Sequence, residues 1–241
     1  MYKLLIIFLI LGLSSCNETV KNSDENLKNI PSEKKIDSTL ILYLENISIK
    51  DQYSRIQLDS IRESFGDNSP EEKKHWKHIV IQDSINMSSV DSIVKIYGWL
   101  GVNDIGRNAY DGLFFTLQHA NNETQERYLP ILRKALEEEK VLPNHFAMFT
   151  DRIAVSNNRD QTYGTQLGKN LETNEFFLYP VLEPDSLDFR RNKVGLDSIH
   201  FYLKGVFDIN WDVEKYKESL SELRLYIKKM KAEFKANTNK N

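Results

Sequence analysis

Two polar residues stand where the surrounding sequence is apolar, and both are types that hold or move protons. His119 lies in Gln118-His119-Ala120, one turn after Phe115, at the end of the most apolar of the expected helices of the domain. An imidazole there needs a partner for each ring nitrogen, and a neutral one can serve as a general base on water. Asp151 shares a helical face with Ala147, Met148, Ala154 and Val155. A carboxylate in that setting must be paired, since stranding one member of a buried ion pair costs about 3–5 kcal/mol. Either His119 or an arginine is the expected partner. Adjacent helical residues diverge by about 100°, so Arg152 serves different neighbours from Asp151.

A third group is Gln161-Thr162-Tyr163-Gly164-Thr165-Gln166. Its density of amides and hydroxyls suits recognition of a polar molecule by Gln161, Tyr163, Thr165 and Gln166, and suits a solvated hairpin equally. Gly164 marks a bulge or a close backbone approach. Arg190-Arg191 offers a carboxylate or phosphate contact, with Arg191 the stronger candidate, or else a solvated face pairing with Asp185 or Asp188. No phosphate-binding loop, dinucleotide fingerprint, serine-hydrolase elbow or HExxH pair is present, so no cofactor is expected. No metal is expected either: His75 and His78 share a helix face, but two ligands fall short of the three or four that zinc takes.

These residues occur in a fixed order along the chain. Asp51-Gln52 with Arg55 comes first, then Tyr97-Gly98-Trp99, Gln118-His119-Ala120, Gln125, Asp151-Arg152, the hexapeptide ending Tyr163-Gly164-Thr165-Gln166, and Arg190-Arg191 followed by Val194-Gly195-Leu196. The series resembles a bacterial family of unknown function recognised by its QHA, DR, QxYGTQ and RRxxxGL elements. The resemblance covers residues 40–202, and the hexapeptide is its most specific part. It implies that these polar residues travel together and converge in space; it supplies no activity.

The elements that must position them are mostly helical. Leu40, Leu44 and Ile47 recur at helical spacing, and Tyr53, Ile56 and Ile61 continue after Asp51. A second helix enters at Pro70, and Ser89 reads as the N-cap of a further one ending at Gly98. Residues 109–120 are apolar nearly all round, the mark of a central helix. Asn122 to Gln125 fits a capping arrangement, Pro130 predicts a kink or restart, and Pro143 suits a first helical position. Residues 161–167 alternate like a strand and 176–181 return, giving one hairpin. Two short helices follow, over 187–194 and 198–203. Residues 213–234 carry a 3–4 apolar seam, which closes on its own domain or, less simply, mediates self-association. The expected fold is mainly α (α+β): an irregular helical domain with one β-hairpin and a long C-terminal helix.

The amino terminus states where such a domain sits. Lys3 precedes an apolar run over residues 4–13, too short to span a bilayer, and Leu13-Ser14-Ser15-Cys16 follows. This resembles the lipobox of bacterial lipoproteins, in which the peptide before the cysteine is removed and the cysteine acylated. The expected organisation is a signal peptide over 1–15, a flexible tether over 16–35 from lipidated Cys16, a single domain over 36–236 and a disordered tail over 237–241. The implied location is the bacterial cell envelope, with the membrane as partner through Cys16 and the domain facing the periplasm or the cell surface. Cys16 is also the sole cysteine, so lipidation excludes thiol catalysis. With 35 acidic against 32 basic residues and a net charge of −3, the chain lacks the basic field that nucleic-acid binding needs.

Three functional readings remain. The domain binds a polar ligand or envelope protein through His119, Asp151, Arg152, Gln161, Tyr163, Gln166 and their neighbours. Alternatively it is an envelope hydrolase, with His119 as general base and Asp151 orienting it. In the third reading it is a structural lipoprotein whose polar set is a sealed network.

Overall fold

In the computed structural model of the chain, residues 36–170, 173 and 175–238 are described. The expected signal peptide, Cys16 and the tether lie outside these residues. The described fold is mainly helical, with one two-stranded antiparallel hairpin and a long C-terminal helix.

Helix α1 (Ser38–Phe65) begins at Asp37, whose carboxylate accepts the Leu40 N–H at 2.9 Å, and ends at Gly66 with φ 83°. Helix α2 (Pro70–Tyr97) begins at Ser69, which accepts the Glu72 N–H, with Pro70 opening the first turn. Both helices continue through positions where the local sequence suggests a break. Ser89 is not a cap: its hydroxyl donates back to the Ile85 carbonyl at 3.2 Å and accepts from Tyr43 of α1 at 2.7 Å. The hydroxyl thus ties α2 to α1 without interrupting the ladder.

Helices α3 (Val102–Ile105), α4 (Arg107–His119), α5 (Asn122–Glu137) and α6 (Pro143–Ser156) complete the helical body. Every position of α4 from Ala109 to Gln118 except Asp111 is buried, including Tyr110, Leu113, Phe114 and Leu117, as all-round apolarity requires. The cap of α5 is Asn121 rather than Asn122, and the helix runs through Pro130 without a restart. Packing of α4 on α1 depends on a close approach: a Cβ at Gly112 would lie 2.1 Å from the Leu44 carbonyl oxygen. His119 follows Gly112 by two turns and Asp51 follows Leu44 by two turns, so the approach fixes the spacing of the two helices where those side chains meet.

A smaller core lies beyond α6. It joins Leu167, Leu178, Val181, Leu187, Ile199 and Leu203 from the hairpin, α7 (Leu187–Lys193) and α8 (Ile199–Phe207). The hairpin is shorter than expected: β1 (Leu167–Lys169) pairs with β2 (Phe176–Leu178) in the register Gly168↔Phe177. Residues 161–166 are not a strand, because several of their N–H groups point to a carboxylate instead of a ladder. Helix α9 (Val213–Thr238) extends into the stretch expected as a tail. Its seam meets the chain's own hairpin through Tyr216, whose hydroxyl accepts from Val181 N–H and donates to the Tyr179 carbonyl, each at 3.0 Å. No helix among the described residues is long and apolar enough to cross a membrane.

Candidate functional site

Asp51 sits on the buried stripe of α1, in line with Leu44, Ile47 and Leu58. Its Oδ1 accepts from Arg55 Nη2 at 2.9 Å and faces His119 Nδ1 at 3.2 Å, while Oδ2 accepts from Gln52 Nε2 at 2.8 Å. The same Arg55 Nη2 reaches Asp83 Oδ1 of α2 at 2.8 Å. One guanidinium therefore joins two carboxylates from two helices, and the imidazole from the end of α4 closes the cluster.

Burial favours the neutral form of Asp51, but the hydrogen bond and charge of His119 and the Arg55 guanidinium outweigh it, holding the carboxyl at about 2. Burial drives His119 down to about 4, against the attraction of Asp51 and with added repulsion from Arg55 and Arg152. The ring is neutral at pH 7. An ionised Asp51 can only accept, so Nδ1 carries the hydrogen and Nε2 keeps its lone pair. Burial raises Asp83 to about 6, opposed by Arg55 and reinforced by the charge of Asp51.

This cluster forms one wall of a cavity of about 630 Å3 between α1 and α2, bounded further by the α4–α5 junction and α6. Leu58, Trp76, Val80 and Met87 supply an apolar side. Arg152 enters from α6, and its Nε and Nη2 are shielded from solvent with no hydrogen-bond partner among the described residues. Burial first, then the charge of Arg55, lowers its pKa to about 9, which leaves it cationic at neutral pH. With Nδ1 held by Asp51, Nε2 is the nitrogen of His119 that can address a molecule in the cavity. The site can take a proton at that atom and offer positive charge at Arg152. Asp51, Asp83 and His119 also place ligand atoms within 4.8 Å of one another. A divalent ion there would have to displace Arg55 from between the two carboxylates.

The residues singled out from the sequence divide into two groups. His119 and Arg152 line the cavity. Asp151 does not pair with His119, whose carboxylate partner is Asp51. The Asp151 oxygens instead accept from the N–H groups of Thr162 (2.7 Å), Tyr163 (3.1 Å) and Thr165 (3.1 Å), and from Thr165 Oγ1 at 3.0 Å. Gln161 Nε2 donates to the carbonyls of Gln166 (3.0 Å) and Tyr179 (2.8 Å), and its Oε1 accepts the Gln166 N–H at 2.8 Å. Buried Arg191 donates from Nη1 to the carbonyls of Tyr163 (2.7 Å) and Gly164 (3.1 Å), while Gln166 Nε2 donates to Thr165 Oγ1 at 3.0 Å. Arg190 Nε reaches the Thr162 carbonyl at 2.8 Å. The hexapeptide is thus a loop wrapped on α6 by Asp151 and clasped from the far side by two arginines. His75 is engaged as well, its Nε2 lying 2.7 Å from the Ser54 carbonyl.

Residue type and spacing do not single out Asp83, and they assign no role to Asp51 or Arg55. A signal exists for both acids. Asp51 falls on the stripe Leu44, Ile47, Asp51, and Asp83 falls between Ile79 and Asn86 at the same 4 and 3 spacing.

The chain belongs to a family of unknown function (DUF6624), whose model matches residues 42–212. No curated protein and no solved structure matches it.

Proposed function

We propose that this member of a family without an assigned activity binds a small polar molecule in the cavity beside His119 and Arg152, and is held at the cell envelope by a lipid on Cys16. The observation that carries the binding reading is convergence. Side chains from α1, α2, α4 and α6 meet at one cavity, within the size range of small-molecule sites. Polar groups so buried are normally satisfied within the protein, yet Arg152, which lines the cavity, has a buried guanidinium edge with no partner among the described residues. The hexapeptide network contributes by fixing the end of α6. The lipid anchor is supported by the sequence of residues 1–16.

A thermal-shift panel on the full chain in mild detergent tests the binding reading, using sugars, amino acids, carboxylates and phosphates. Occupancy at 100 times Kd adds about 2.7 kcal/mol of stability, an easily read shift. At least one compound should raise the melting temperature, and His119→Ala should abolish the effect. A shift of equal size in His119→Ala would place binding elsewhere.

One observation favours hydrolysis as a second reading. The Asp51–His119 pair holds a neutral ring with its free nitrogen toward the cavity, the arrangement a general base needs. In that reading a bound compound would be cleaved by wild type, and Asp51→Asn would lower turnover more than binding.

A further inference from the structure

We infer that the molecule held in this cavity carries a carboxylate or phosphate group, received by the guanidinium of Arg152. The inference rests on the binding reading above and adds the chemical class of the ligand. Nε–H and one Nη2–H lie along the same edge of a guanidinium and point in parallel. That pair of donors matches two oxygens of a single carboxylate or phosphate, and arginine is the side chain that makes such two-pronged contacts. In Arg152 these two nitrogens have no partner among the described residues and are out of reach of solvent, so the edge meets a ligand once this side chain, which lines the cavity, turns toward it.

The other arginines of the cavity are committed. Arg55 pairs with Asp51 and Asp83, Arg62 with Asp59 and Glu72, and Arg127 with Asp91. Arg152 alone of the four has no carboxylate among the described residues. A shielded cation lacking a counter-charge is a costly arrangement that a ligand's negative group would relieve. The rest of the cavity sets further terms. His119 Nε2 can accept a hydrogen bond from an O–H or N–H of the same molecule, and Trp76, Val80 and Met87 face its less polar part. The negative group could belong to a free metabolite-sized acid or to a lipid headgroup, since both present the same oxygens.

The experiment titrates the full chain in mild detergent and chloride-poor buffer with inorganic phosphate, succinate and glucose, and separately with phosphatidylglycerol vesicles. Phosphate or succinate should raise the melting temperature of wild type while glucose does not. Arg152→Gln should weaken that binding at least about tenfold, the worth of a hydrogen bond to a charged group. Arg152→Lys, a point charge without the edge, should recover part of it. An effect from the vesicles alone, again lost in Arg152→Gln, assigns the oxyanion to a lipid headgroup. An independent readout needs no ligand: Arg152→Met should melt no lower than wild type in the absence of added anion, because it removes an unpaired charge. A clear drop in melting temperature there, or equal anion affinity in Arg152→Gln, overturns the inference. Protection by glucose alone, abolished in His119→Ala but kept in Arg152→Gln, leaves the cavity reading standing and defeats the oxyanion. No protection by any probe defeats both.

Discussion

Asp83 and His119 exchange their usual order of titration, since burial raises the carboxyl to about 6 and lowers the imidazole to about 4. The two displacements have opposite consequences for stability. Between about pH 4 and 6 the folded Asp83 holds a proton that the unfolded chain has released, so stability falls as pH rises through that window. Between about pH 4 and 6.5 it is the unfolded His119 that binds the extra proton, so stability rises with pH. In the wild type the two slopes offset each other. Asp83→Asn removes the first and exposes the second. Measured by urea unfolding, the stability of Asp83→Asn relative to wild type should grow by about 3 kcal/mol from pH 4 to pH 7. That figure follows from about 1.4 kcal/mol for each pH unit separating the folded and unfolded titrations of Asp83. His145, also lowered by burial and by Arg107 to about 3, contributes equally to both proteins and cancels. A difference that stays constant with pH would contradict the burial of Asp83 beside Arg55 and Asp51.

At the scale of elements, one carboxylate organises a whole loop. Both oxygens of Asp151 accept from backbone N–H groups, so an amide cannot replace it in either orientation without turning a donor toward a donor. Asp151→Asn should therefore cost roughly 3–5 kcal/mol. For a domain of this size, that lowers the melting temperature by roughly 6–20 °C; a calorimetric scan within a degree of wild type would refute the sealed network. The same loop shows what a sequence can and cannot disclose. The central helix α4, the Pro143 start of α6 and the long α9 follow from apolar periodicity and terminal residues, which act locally. The alternation Gln161, Tyr163, Thr165 reads as a strand only while the destination of its N–H groups is unknown. That destination is a side chain ten or more residues earlier, and spacing carries no trace of it. Asp151 and Arg152 diverge as adjacent helical residues must, one to the loop and one to the cavity. Spacing points His119 to Asp151, the nearer aspartate on an apolar face, whereas its actual partner Asp51 lies 68 residues away.

Across the whole molecule, a helical body with its own core carries the cavity, and the smaller hairpin core is tied to it. Asp151 fastens the loop, Arg224 pairs with Asp160 at 2.6 Å, and Lys231 reaches the Val155 carbonyl at 2.9 Å. In the proposed anchoring, several acyl chains on Cys16 at about 0.8 kcal/mol per buried CH2 give stable attachment. Cys16→Ser should then leave the membrane fraction while melting as wild type does; retention after a high-salt wash would contradict the anchor. The central claim, that the working site is the cavity at His119 and Arg152 rather than the hexapeptide, is tested most directly by imidazole and amide 1H–15N spectra. These are recorded at pH 7 with and without whichever anion stabilises the protein most. The account predicts a neutral His119 with its hydrogen on Nδ1, an Nε2 resonance that moves on addition of the anion, and amides of residues 161–166 that stay in place. A stationary Nε2 with moving hexapeptide amides would contradict it.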